Sequence, residues 1–162
     1  MSADEPAWRA TYAKALDALA RRARSSAELT RWLAQRDHSP EHVARTIERL
    51  TAVGLLDDAA YARSFARSRA TGRGMSRRRI QAELARRGVA RAQVDAAIAE
   101  VMADEDVDER ALVEAAAAKK LRALATLAPD VRRRRLYGFL TRRGYAQDLV
   151  RETVAKLTAS ER

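Results

Sequence analysis

The chain has no cysteine, which excludes disulfides, thiolate metal sites and cysteine nucleophiles and fits a reducing compartment. Aromatic residues are only 5% of the 162 residues, so a core must be built from Ala, Leu, Val and Ile packed between helices. No apolar run approaches the roughly 20 residues needed to span a bilayer, and the opening MSADEPAWRA lacks the order of a signal peptide. A cytoplasmic protein outside the membrane is expected, and nothing reads as strand.

Charge of one sign is abundant. The formal net charge is +10, and of 32 basic residues only Lys14, Lys119, Lys120 and Lys156 are lysine. Such a surplus suits an approach to nucleic acid or an acidic protein surface. A solvated surface in an Arg- and Ala-biased composition is the plainer reading, but bias toward arginine does not by itself explain an excess over Asp and Glu.

A repeat organises the rest. Leu84-Ala-Arg-Arg-Gly88-Val89 returns as Leu140-Thr-Arg-Arg-Gly144-Tyr145 and, more loosely, as Leu33-Ala-Gln-Arg-Asp37-His38. Each copy carries an apolar residue four before its leucine: Leu29, Ile80 and Leu136. After the Gly, Gly or Asp comes a helical stripe: Val43, Ile47, Leu50; Val94, Ile98, Val101; Val150, Val154, Leu157. The spacing accommodates three helices per copy. It predicts first helices over residues 8–24, 58–71 and 108–128, second helices over 26–36, 76–87 and 130–143, and third helices over 40–53, 91–103 and 147–159.

Punctuation agrees. Ser25-Ser-Ala-Glu28 is a capping box, Ser39-Pro40 supplies an N-cap and a first-turn proline, and Gly88 and Gly144 suit the left-handed residue after a helix. The expected fold is all-α: three tandem three-helix repeats at 1–53, 54–107 and 108–162, forming an elongated, curved array whose middle repeat has the best-determined core. The acidic run Asp104-Glu-Asp-Val-Asp-Glu109 reads either as a hinge or as an acid-rich helix start.

Between the first two repeats stands Gly54-Leu55-Leu-Asp57-Asp58-Ala-Ala-Tyr61-Ala62-Arg-Ser-Phe65, followed by Arg69, Gly74, Glu83-Leu84 and Arg87-Gly88-Val89. This ordered set resembles the RecX family, and the three-repeat layout extends the resemblance over nearly the whole chain. The third copy departs from it with Tyr137-Gly138 where an acidic-leucine pair is expected, and the first with Asp37 in place of glycine. Physically the signature residues are mainly determinants of fold: Asp57 or Asp58 can cap the helix carrying Tyr61, Ala62 and Phe65, with Tyr61 and Phe65 on one face.

The resemblance implies a non-enzymatic, monomeric regulator of the RecA recombinase, without cofactor. It would lie in the groove of the RecA filament on single-stranded DNA, suppress ATP hydrolysis and strand exchange, and act in DNA repair, recombination and the SOS response. Double-stranded DNA is a further implied partner.

Contacts should fall where charge concentrates. The basic excess is +2, +2 and +6 in the three repeats. Arg132, Arg133, Arg134 and Arg135 are expected to open the second helix of the last repeat and Arg142 and Arg143 to close it. Arg77, Arg78, Arg79, Arg86 and Arg87 hold equivalent places in the middle repeat. At a helix start, arginines oppose the dipole, a cost eased by a nearby anion, and free N–H groups there would accept phosphate. These eleven arginines are the candidate contacts for DNA phosphate or an acidic groove, weighed against a solvated face.

Enzymatic readings find little support. His38 and His42 flank the helix start at Ser39-Pro40 and need not share a face as metal ligands. Thr71-Gly-Arg-Gly74 lacks the Lys and Ser/Thr of a phosphate loop. No nucleophile, base and carboxylate group together. The competing reading is a sequence-tolerant, helix-turn-helix-like DNA-binding regulator, although no second helix carries the Asn, Gln and Arg mixture typical of base readout.

Overall fold

A computed structural model describes residues 4–104 and 108–159, and its elements there are helical. The helices are α1 (Asp4–Arg21), α2 (Ser26–Ala34), α3 (Pro40–Ala52), α4 (Asp58–Arg67), α5 (Arg77–Arg86), α6 (Arg91–Asp104), α7 (Glu109–Ala123), α8 (Pro129–Arg142) and α9 (Gln147–Ala159), with a π-helical turn at Ser68–Gly72 after α4. The order gives three helices to each of three repeats. Of the acidic run between α6 and α7, residues 105–107 lie outside the described residues; Asp108 accepts the Ala111 N–H as N-cap of α7.

The local signals act as chemistry requires. Ser25 accepts the Glu28 N–H while Glu28 accepts the Ser25 N–H, closing the capping box of α2. Ser39 accepts the His42 N–H ahead of Pro40. Gly88 and Gly144 sit at φ +76 and +89, and Asp37, in the corresponding place of the first repeat, sits at φ +61. Asp and Asn tolerate that region better than other non-glycine residues, so the substitution preserves the turn. After Gly88, the Val89 N–H returns to the Leu84 carbonyl and buries Val89 against the helix it ends.

Most of the predicted stripe positions are buried, Ile47 and Leu157 only partly. Leu29, Leu33, Ile80, Leu84, Leu136 and Leu140, paired at equivalent positions of the three repeats, are all fully buried.

Four expectations need correction. Helix α1 begins at Asp4, four residues before the expected start, because Asp4 and Glu5 favour a first turn that also tolerates Pro6. The helix from Asp58 gives way to the π turn at Ser68, and the Met75 N–H reaches back to the Arg69 carbonyl. Helix α7 stops at Ala123, not residue 128: the Leu124 and Leu127 N–H groups turn back to Leu121 and Leu124, burying Leu124. Its Ala- and Leu-rich sequence contains no stop, so local propensity over-extends it.

The fourth concerns the core. Contacts divide the chain into two compact units, one taking residues up to Ala62 with Leu84–Val94, the other Arg63–Glu83 and residues from Asp95 onward. The first unit packs α1, α2 and α3 around Ala15, Ala18, Leu29, Leu33, Val43 and Leu50, closed by Leu56. In the second, α7, α8 and α9 pack on one another through Val113, Leu121, Leu136, Leu140, Val150 and Val154. The described residues of the middle repeat are thus shared between the two units and form no separate one.

Candidate nucleic-acid and partner interface

The signature residues build a recurring joint. Ser25, already the acceptor of a cap, donates its hydroxyl to the Arg87 carbonyl at 2.5 Å. The following Gly88 lies so close to α2 that a Cβ there would overlap the Ala27 Cβ. In the second unit, Ser76 caps α5 through the Arg79 N–H, and its own N–H donates to the Arg143 carbonyl at 3.2 Å. The next residue, Gly144, would place a Cβ 2.8 Å from the Arg79 Cβ and the Ser76 hydroxyl. In both joints the end of one repeat's second helix rests on the capped start of the preceding repeat's second helix. Both serines are fully buried.

Around the first joint lies a polar network. Asp57 caps α4 through the Ala60 N–H, so of the two candidate caps it is Asp57 that serves, whereas its neighbour Asp58 accepts the Ser26 N–H at 2.7 Å. Glu28 accepts the Tyr61 hydroxyl at 3.1 Å and the Arg87 guanidinium at 2.8 Å, with Arg22 at 3.8 Å. Burial pushes the Glu28 carboxyl upward, but the Ser25 N–H, the Tyr61 hydroxyl and the two guanidinium groups outweigh it and hold the group below the usual carboxylate range. Burial and the Glu28 charge raise the Tyr61 phenol.

Gly74 serves the second unit in the same way. It sits at φ +56, a Cβ there would come 2.7 Å from the Ala116 Cβ, and its carbonyl accepts the buried Tyr145 hydroxyl at 2.7 Å. Burial, reinforced by Glu109 and opposed by Arg143, raises the Tyr145 phenol strongly.

Of the eleven candidate arginines, Arg86 and Arg87 belong to the first unit and the other nine to the second. Arg87 spends its guanidinium on Glu28 and Tyr61 and its carbonyl on Ser25. Arg86 is exposed, with its carbonyl held by Arg31. Arg143 gives its guanidinium to the Arg73 carbonyl and lies over the Phe139 ring. These two partly buried arginines are joint residues first.

The more exposed ones fall into two groups. Arg78, Arg79 and Arg142 meet around a depression of about 560 Å³ beside Gly144, which brings the start of α5 and the end of α8 together; Arg79 is also paired with Glu83. Arg77 is exposed on the same first turn of α5. Arg133 and Arg134 share a depression of about 390 Å³ with Tyr137, Asp130 and Arg151. Arg132, half-buried, and the exposed Arg135 do not line it.

The four-arginine run is placed differently from its expectation. Helix α8 starts at Pro129, so Arg132 is its fourth residue and its N–H bonds the Ala128 carbonyl. The run lies beyond the first turn, where the dipole penalty has fallen and backbone N–H groups are consumed by the helix. Position 132 aligns with the capping serines Ser25 and Ser76, each eight residues before the repeated leucine (Leu33, Leu84 or Leu140) of its repeat. Without a serine there, α8 extends a further turn toward its N-terminus.

His38 accepts or donates to the Thr11 hydroxyl at 2.9 Å, while His42 meets Asp4 at 2.5 Å, so the two rings serve different partners on α1. No cluster of three metal-ligating side chains occurs among the described residues, nor is any helix there long and apolar enough to cross a membrane.

Sequence reasoning missed two features. Arg151 joins Arg133 and Arg134 from α9, and Lys119 and Lys120 border a larger groove, of about 750 Å³, between α7, α8 and residues 70–75. The adjacent lysine pair, in a chain with four lysines, was the only local signal of the groove.

Comparison with known proteins agrees with this architecture. Models described as the first, second and third three-helix domains of RecX match residues 12–50, 57–98 and 108–154. The chain is 38% identical to Regulatory protein RecX of Mycolicibacterium vanbaalenii over 99% of its own length and 90% of that protein's. Against Regulatory protein RecX of Thermobifida fusca it is 37% identical, over 93% and 82%. The crystal structure of RecX from Lactobacillus salivarius superposes with a TM-score of 0.72 at 18% identity, covering 94% of this chain and 97% of that one, and so speaks to the fold.

Proposed function

The chain belongs to the RecX family, and from that premise we propose that it is a non-enzymatic regulator of the RecA recombinase. It acts as a cytoplasmic monomer, without cofactor, in the groove of the RecA filament on single-stranded DNA. There it restrains ATP hydrolysis and strand exchange, and with them DNA repair and recombination in the SOS response. The three domains, at 1–53, 54–107 and 108–162, supply its linked contacts.

The observation that carries this reading is the meeting of Arg78, Arg79 and Arg142 across two successive repeats. A guanidinium offers planar, paired donors to phosphate or carboxylate, and a group of them drawn from two helices suits a ligand that runs past both. Several such contacts on one chain raise the effective concentration of each after the first has formed, which favours a partner with repeating protomers.

The test is RecA ATPase on single-stranded DNA titrated with the chain. Inhibition at a chain-to-RecA ratio well below one supports regulation of the filament. Inhibition that begins only when the chain is sufficient to coat the DNA favours the alternative, a sequence-tolerant DNA-binding regulator. Under that outcome the family's regulatory role would operate through DNA occupancy.

A further inference from the structure

The 750 Å³ groove of the second unit differs in chemistry from both arginine depressions. Its floor is made by the methyl groups of Ala115, Ala116 and Ala123 with Leu112, along one face of α7. Around it stand Arg73, Lys119, Lys120, Arg142 and Arg143, and none of its lining residues is acidic. The opposite wall is the turn at residues 70–75, set against α7 by the close approach of Gly74 to Ala116 and tied to the segment after α8 by the Tyr145 hydroxyl on the Gly74 carbonyl. The wall and floor therefore belong to one braced structure.

We infer that this groove docks an acidic segment with an apolar face, supplied by the recombinase itself. Alanine methyls and a leucine gain from covering apolar side chains and have nothing to offer a phosphate or a base edge. A cationic border without carboxylates then selects a segment whose flanks carry Asp or Glu. Such an amphipathic ligand in a groove is a recurrent mode of protein recognition.

A single-stranded polynucleotide fits less well. Strand-binding grooves use open aromatic faces as stacking platforms. Here the Phe139 ring already carries the Lys120 ammonium at 5.3 Å and the Arg143 guanidinium at 4.8 Å. The division of labour that results is specific: the α7–α8 groove takes protein, and Arg133 and Arg134 take phosphate. This inference rests on RecA being the partner.

The experiment compares binding of the full chain to RecA filaments on single-stranded DNA and to a bare oligo-dT across a salt series. Ala115→Trp fills the floor at an exposed position without changing charge, and Lys119→Glu reverses a cation at an exposed position; unchanged thermal melting certifies the fold of each. Both variants should bind the filament at least tenfold more weakly, and Ala115→Trp should bind oligo-dT as the unaltered chain does. Arg133→Ala with Arg134→Ala should instead flatten the salt dependence of oligo-dT binding, by about 0.7 in log–log slope for each lost contact.

Parallel loss of oligo-dT binding in Ala115→Trp would reassign the groove to nucleic acid. Undiminished filament binding in both groove variants would overturn the docking inference while leaving the proposed function intact. An unaltered chain that fails to bind filaments would remove the proposed function, and this inference with it.

Discussion

The Ser25 hydroxyl hydrogen-bonds the Arg87 carbonyl at 2.5 Å, across 62 positions of sequence. A single hydroxyl thereby closes the cap of α2 as an acceptor and satisfies the end of α5 as a donor. At the corresponding joint in the second unit, Ser76 divides the work: its hydroxyl caps α5 and its backbone N–H serves the Arg143 carbonyl.

That difference separates two otherwise equivalent substitutions. Ser25→Ala removes the cap and strands the Arg87 carbonyl, costing about 2–4 kcal/mol. Ser76→Ala removes only the cap, at about 1 kcal/mol, because alanine keeps the N–H. Urea midpoints of the two variants measure this directly, and equal losses would show that the Ser25 hydroxyl does not hold the joint.

Two glycines in the left-handed region give a second contrast. Gly54, at φ +72, has open space where a Cβ would stand, so Gly54→Ala carries only backbone strain, about 1 kcal/mol. Gly88→Ala adds an overlap with Ala27, and about 3 kcal/mol in all is expected. In a Gly88→Ala background, Ala27→Gly should recover part of the loss. An absence of coupling in that double-mutant cycle would disprove the packing explanation.

Acid stability should report on Glu28. Its carboxyl is held below the usual range in the folded chain by the Ser25 N–H, Tyr61, Arg87 and Arg22, against the opposing effect of burial. A depressed carboxyl contributes stability that is complete above its unfolded-state value and is lost as pH falls through the folded one. Glu28→Gln should therefore be less stable than the unaltered chain at neutral pH, with the gap narrowing once the pH drops below the ordinary carboxylate range. A gap that stays constant at pH values well below that range would place the contribution of Glu28 outside its charge.

Much of this fold is legible one segment at a time because its determinants are local. The capping serines, the residues at positive φ and the buried leucines at fixed offsets each act within a turn or two of themselves, and so they appear in the linear pattern. Asp37 shows how far this extends: even without glycine, the first repeat keeps its left-handed turn. Helix α7 marks the limit, since an Ala- and Leu-rich run carries no stop of its own and ends where Leu124 finds burial. The extra turn of α8 is intermediate. The missing serine at position 132 is visible, but the start of α8 at Pro129 is seen only in the structure.

Sequence by itself determined the helical class, the three-fold repetition, the family resemblance and the surplus of arginine, because composition and short-range spacing carry all four. Only the tertiary structure decided that the described residues of the middle repeat are shared between two units and that Arg87 and Arg143 are consumed by joints. It also decided that Arg78 meets Arg142, and that lysines from α7 border an apolar groove. Each of these depends on which groups meet across 50 or more residues, or on which face of a helix finds a neighbour. An arginine reads the same in sequence whether its guanidinium ends on Glu28 or in water; packing alone distinguishes them.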